Sequence, residues 1–204
     1  RRIERPRPWF LNPYPDYSDD YTVSEGNPDL LPANIDSYEL NYVNRLNNGY
    51  FSVELFHRQT HDMITRTVEV NEDNKLYVTF RNLNQDYSTG LEAATFLQLA
   101  KWFNLNAGGS VFRYEVNGTL SDEALNQETW TWNLRGNGTF SFSRSTVLQL
   151  NFFYSGPSIT AQGDQDAFYM IGAAFRQDFL KRTLSATISA NDIFSTQDQH
   201  LTFG

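Results

Sequence analysis

The chain has 204 residues, 40% hydrophobic and 15% aromatic, with no cysteine and a formal net charge of −8. Without cysteine there is no disulfide framework and no thiolate metal site. The acidic balance argues against a nucleic-acid partner, because a phosphate-binding surface needs clustered Lys and Arg and only the N-terminal "RRIERPRP" is basic.

High aromatic content beside a low mean hydropathy of −0.53 implies apolar residues interleaved with polar ones, the pattern of strands with one wet face. No stretch approaches the roughly 20 apolar residues of a spanning helix, whereas spanning strands leave a much weaker signal.

Period two dominates from end to end. Residues 1–34 read as a loop holding the aromatic run "WFLNPYPDY" (Trp9 to Tyr17) and the turn-rich "SEGNPDLLPANIDSYELNY" that opens the first strand. In that first run Tyr38, Leu40 and Tyr42 alternate with Glu39 and Asn41. After Asn48-Gly49, a dipeptide favoured in two-residue hairpins, Phe51, Val53 and Leu55 alternate with Ser52 and Glu54.

The third run sets Leu91, Ala93, Leu97 and Leu99 against Glu92 and Gln98. The fourth sets Leu105, Ala107 and Val111 against Asn104, Asn106 and Ser110. In the fifth, Trp130, Trp132, Leu134, Phe140 and Phe142 alternate with Asn133, Arg135, Asn137 and Thr139. Leu148, Leu150, Phe152 and Tyr154 follow against Gln149 and Asn151; then Tyr169, Ile171 and Phe175; then Leu184, Ala186 and Ile188. The expectation is an all-β, antiparallel up-and-down meander of about eight long strands over residues 35–192, with a further loop at 193–204.

Connections near 47–49, 101–103, 143–145 and 180–182 read as tight. Those near 60–86, 116–128 and 156–167 read as long and polar, with "LYVTFR" (76–81) as either an extra strand or an extension of the wall. Acidic residues gather in the long segments (Asp19, Glu25, Glu69, Glu72, Asp73, Asp122, Asp166) and basic ones at the tight ends (Arg45, Lys101, Arg144, Lys181).

Alternation alone fits a soluble sandwich, whose apolar face packs inward, and a transmembrane barrel, whose apolar face meets lipid. Soluble β proteins are commoner. The alternating connections, strands of 9–11 residues or more, and aromatics near strand ends favour the barrel. A polar face rich in Asn, Thr, Ser and Gln suits a wet or plug-filled lumen better than a dry core. The soluble alternative is an aromatic-rich module that binds glycans.

"EGNPDLLPANIDSYELNY" (Glu25 to Tyr42) resembles the Gly-Asn-Pro…Tyr-Glu-Leu segment of TonB-dependent outer-membrane receptors. "RRIERPRPWFLNPY" (Arg1 to Tyr14) and "SANDIFSTQ" (Ser189 to Gln197) resemble stretches of the Bacteroidetes-type outer-membrane β-barrel branch. Ala33-Asn34 and Ser195 depart from the family pattern, and the middle of the chain matches in pattern only. The resemblance implies part of a larger barrel closed around a plug, importing a scarce ligand with energy from the TonB complex. It also implies that the plug and the final strands lie outside this chain, which starts at Arg1, and that residues 1–34 and 193–204 are external. The implied partners are outer-membrane lipid, the plug and remaining strands, the TonB complex and an unidentified ligand. This piece alone, with two free strand edges, is expected to close on itself, to pair edge to edge with another copy, or to curl into a sandwich with its apolar face inside.

No enzyme constellation is legible, and neither a cofactor nor a metal is expected. His57 and His61 on a strand would stand about 13 Å apart, too far for one ion, and His200 is isolated. Lumen-facing contacts to ligand or plug are expected at Asn133, Arg135, Gln149 and Asn151.

Overall fold

Side chains that alternate along one strand become rows when strands pair in register, and here the rows run across the whole sheet. The computed structural model describes all residues except 18, 71–73, 121–122, 161–162, 197–200 and 204. In chain order the strands are β1 (Arg2–Glu4), β2 (Asp16–Tyr17), β3 (Thr22–Ser24), β4 (Ala33–Leu46), β5 (Gly49–Val70), β6 (Leu76–Ala100), β7 (Phe103–Leu120), β8 (Glu123–Ser141), β9 (Thr146–Ser155), β10 (Ser158–Thr160), β11 (Gly163–Gln165), β12 (Phe168–Phe179), β13 (Leu184–Ala190) and β14 (Leu201–Phe203). Two single-turn 3₁₀ segments, Pro8–Phe10 and Leu180–Arg182, complete the regular structure.

The main sheet runs β1-β4-β5-β6-β7-β8-β9-β12-β13 and is not closed. Its eight long strands are the expected meander. One row of the apolar face reads Tyr42, Val53, Ala93, Gly109, Leu134, Tyr154, Tyr169; the adjoining row of the polar face reads Asn41, Glu54, Glu92, Ser110, Asn133, Ser155, Phe168. A slip of one residue in any ladder would exchange these two sets, so the two-faced pattern itself specifies register.

The tight connections lie at one end of the sheet, where the first hairpin differs by one residue from expectation. Leu46 pairs with Gly49, so the turn centres on Asn47-Asn48 and glycine opens β5. At the last turn, Leu180, Lys181 and Arg182 all take left-handed backbone, φ 48, 56 and 73.

The far end corrects the expected long loops. Residues 60–70 and 76–86 continue β5 and β6 as one ladder down to Val70↔Leu76, so "LYVTFR" extends the wall. Residues 116–120 and 123–128 likewise extend β7 and β8. Alternation fades in "RNLNQDY" and "EVNGT", where polar residues crowd both sides of isolated apolar ones, yet backbone pairing needs no hydrophobic pattern. Only 156–167 resembles the expected loop, and it too holds β10 and β11, with β14 added to form a three-stranded sheet. Glu72, Asp73, Asp122 and His200 lie outside the described residues.

Residues 1–34 are also more ordered than a loop. β1 pairs with the rim of β4 (Arg2↔Ile35), and β2 pairs with β3. β3 lies parallel to β6 (Thr22↔Leu76, Ser24↔Val78), along the edge that β7 leaves open beyond Gln85.

The face pattern changes at Asp62, which takes a left-handed conformation (φ 57) between the pairs His61↔Gln85 and Met63↔Leu83. Beyond it, Met63 and Leu83 pack with Tyr114 and Val116, although those two register with Ser88 and Asp86 of the polar face. Leu83 and Val116 are 0% and 1% exposed.

Candidate functional site

Asn133, Arg135, Gln149 and Asn151 stand on β8 and β9 at alternate positions of one face, and the ladder joins them. Asn137 pairs with Asn151 and Thr139 with Gln149. Asn133 donates through Nδ2 to Ser110 Oγ (3.4 Å) and accepts from Ser155 Oγ (3.3 Å), while Asn137 Nδ2 donates to Asn151 Oδ1. Arg135 reaches across β7 to Glu92 Oε1 on β6 at 3.3 Å. The register partner of Arg135 on β7 is Gly108. A Cβ there would stand 3.4 Å from Arg135 Nε and 3.2 Å from Ala93 O, so the missing side chain clears the guanidinium's route to its carboxylate. Glu92, Gly108, Ser110, Asn133, Arg135 and Phe153 line a recess of about 340 Å³.

A second concave region forms where residues 8–31 fold onto the β5–β6 extension. Gly26 N–H donates to Asn12 O (2.8 Å) and Asn27 N–H to Phe10 O (2.6 Å). Asn27 Nδ2 donates to Phe80 O (3.0 Å), and its Oδ1 accepts from Asp29 N–H (3.0 Å). Any Cβ on Gly26 would fall 2.6–2.7 Å from backbone atoms of Phe10 and Asn12. The Gly26-Asn27-Pro28 turn therefore ties three segments together. Phe10 stacks on Phe80 with ring centroids 3.9 Å apart, and Asn82 exchanges hydrogen bonds with the backbone of Leu31 at 2.9 and 3.0 Å. Tyr77 Oη donates to Glu25 at 3.0 Å; partial burial and that carboxylate, in this order, hold the phenol above its ordinary pKa.

A family model described as the outer membrane protein beta-barrel family matches residues 1–203. The chain belongs to that family. Its place is the bacterial outer membrane. No curated protein matches the sequence significantly. Among solved structures it is similar to the siderophore receptor PirA from Pseudomonas aeruginosa, at 14% identity and a TM-score of 0.64, covering 96% of this chain and 35% of that one. It is also similar to a point mutant of the ferric enterobactin receptor PfeA from the same organism, in complex with enterobactin. That match has 14% identity and a TM-score of 0.61, and covers 94% of this chain and 32% of the receptor. The chain thus spans about a third of the length of these receptors, and at such identity the likeness shows the fold.

For an outer-membrane barrel wall the apolar face is the lipid face, and aromatic clusters stand toward both of its ends, with Phe51 and Phe152 in the row between. Near the tight turns, Phe103 and Phe140 stack at 4.4 Å with Trp102 and Phe142 beside Phe140. Toward the far end, Trp132 stacks on Tyr154 at 4.3 Å, with Trp130 next along β8. From Trp130 to Phe140 the strand climbs about 34 Å, or about 26 Å once tilted by roughly 40°, close to the ~25 Å apolar band of outer-membrane barrels. His57 and His61 face separate partners, Thr89 Oγ1 (2.7 Å) and Gln85 Nε2 (3.3 Å).

Glu92 and Gly108 carry as much of the polar-face geometry as the four expected residues. Glu92 is visible in the sequence as the carboxylate of the third run, but its tie to Arg135 depends on register. Asn82 had no such signal, and the Gly-Asn-Pro motif marked Asn27 as a turn residue without showing that it reaches Phe80.

Proposed function

We propose that this chain is a wall segment of a TonB-dependent receptor that imports a scarce ligand across the outer membrane, with the polar face turned to the lumen. The observation that carries the reading is the family match over residues 1–203, joined to a polar face whose ladder (Glu92, Arg135, Ser110, Asn133) suits contact with a plug or a solvated ligand better than a dry core. In this reading Asn133, Arg135, Gln149 and Asn151 face the plug or the passing ligand. The tight turns lie on the periplasmic side, and residues 1–34 and the long hairpins lie outside. The plug, the remaining strands and the TonB complex are the partners, and we assign the segment no catalytic role.

Deletion of the gene, with uptake followed for ferric enterobactin, cobalamin and maltohexaose under limitation, tests the reading. Uptake of one of them should fall with the deletion and with a protonophore. Uptake that is indifferent to both, for all three, would overturn it.

A further inference from the structure

The cleft between the N-terminal segment and the β5–β6 extension encloses about 300 Å³, at the lower end of small-ligand pockets. Its wall includes Trp9, Tyr14, Asp16, Glu25, Arg66 and Phe80. Trp9 and Tyr14 keep 60% and 76% of their surface exposed, although the segment carrying them is tied down by the Gly26-Asn27 turn and the Phe10–Phe80 stack. The two rings border one concave, partly polar cleft, the setting in which exposed aromatics most often meet a ligand.

We infer that this cleft is a carbohydrate-binding site, in which Trp9 and Tyr14 stack on sugar rings while Asp16, Glu25 and Arg66 hydrogen-bond the hydroxyls. The electron-rich face of an aromatic ring attracts the weakly positive C–H face of a pyranose and gives it a flat apolar platform. Hydroxyls need both donors and acceptors at the rim, and the charged groups here supply the stronger kind of hydrogen bond.

The charge balance selects against the main competing class. Two carboxylates face one guanidinium, which disfavours an anionic chelate or a phosphate. The nearby Arg7 is engaged over the rings of Trp9 and Phe10, at 5.2 and 5.9 Å. Arg66 has no ion-pair partner among the described residues and is exposed, so its donors are available. Glu25 already accepts from Tyr77, which fixes its carboxylate and leaves acceptor capacity over.

The test uses the full-length receptor in detergent, titrated calorimetrically with maltohexaose, cellohexaose, xylohexaose and chitohexaose. At least one should bind, and Tyr14→Ala and Arg66→Ala should each weaken it about tenfold or more. Tyr14 and Arg66 are exposed and take no part in tying the segment down, so these variants retain the fold; Trp9→Ala should show the same loss. Trp130→Phe on the lipid face should bind as wild type. The inference fails if none of the four binds, if binding survives both exposed-residue variants, or if ferric enterobactin binds in a way that Tyr14→Ala abolishes. The titration involves no energised membrane. Absence of sugar binding therefore leaves import of another ligand standing, and absence of import leaves the sugar site standing.

Discussion

In the spanning wall Tyr38, Leu40 and Tyr42 stand 68%, 69% and 61% exposed, whereas beyond Asp62 Leu83 and Val116 are buried to 0% and 1%. Among the described residues, the buried hydrophobic ones (Val23, Leu30, Ala33, Val78, Leu83 and Val116) all belong to the far end or to the N-terminal segment folded on it. The same ladder thus solves one problem in two ways. Where lipid is the solvent, the apolar row needs no protein partner and strand closure alone satisfies the backbone. Where water is the solvent, a bare two-faced sheet would be marginal, and the chain builds a small core by folding other segments onto it.

The largest test of that contrast lies in the core. Leu83→Ala should destabilise the far end by about 2–5 kcal/mol, the usual cost of a buried leucine truncation. Protease cuts should appear in the β5–β6 extension while membrane assembly is retained. Unchanged protease resistance would mean that Leu83 is not part of a core.

The converse test lies in the wall. Leu134→Arg places a charge in mid-membrane on the lipid face and should cost about 2–4 kcal/mol, read as reduced assembly of heat-resistant barrel. Leu76→Arg, 45% exposed on the extension, should fall within about 0.5 kcal/mol of wild type. Equal costs at the two sites would erase the distinction between the regions.

Glycine sharpens it further. Gly26→Ala forces a Cβ to within 2.6–2.7 Å of fixed backbone and should cost about 1–3 kcal/mol, loosening residues 8–12 to proteolysis. Gly136→Ala in the wall meets nothing within 4 Å and should be neutral, or stabilising by up to about 1 kcal/mol. A Gly26→Ala protein as resistant as wild type would show that the turn does not fasten the segment.

Legibility followed the same division. The wall was readable because lipid and lumen impose period two on every strand, so Trp130 to Phe142 or Leu148 to Tyr154 announce their faces unaided. The extensions were read as loops because "RNLNQDY" and "EVNGT" carry no alternation, and the core they share through Leu83 and Val116 appears only once the strands pair. The four polar-face residues could be named from parity, but Glu92 as the partner of Arg135 could not, since the contact needs the register of β6, β7 and β8 together. The cleft was least legible. Its parts are brought together by Gly26, Asn27 and Asn82, and an Asx turn in the sequence does not say which strand, some fifty residues away, it will hold.

The smallest expected effect distinguishes the regions by pH. Asp19 accepts from Tyr21 N–H at 2.7 Å and from the Thr22 hydroxyl at 3.3 Å, and the backbone donor chiefly holds its carboxyl below the ordinary value of 3.8. A depressed folded-state pKa contributes stability that is present above the unfolded value and lost as pH falls through the folded one. The β2–β3 hairpin should therefore loosen only below about pH 4, and hydrogen exchange at Tyr21 and Thr22 should rise there relative to Asp19→Asn, whose exchange ratio stays flat. The ladders between β7, β8 and β9 rest on amide hydrogen bonds that bind no proton in this range, so their protection should not move. Loosening of wall and hairpin together would make acid a global perturbation, and loosening of neither would mean the carboxylate does not hold the turn.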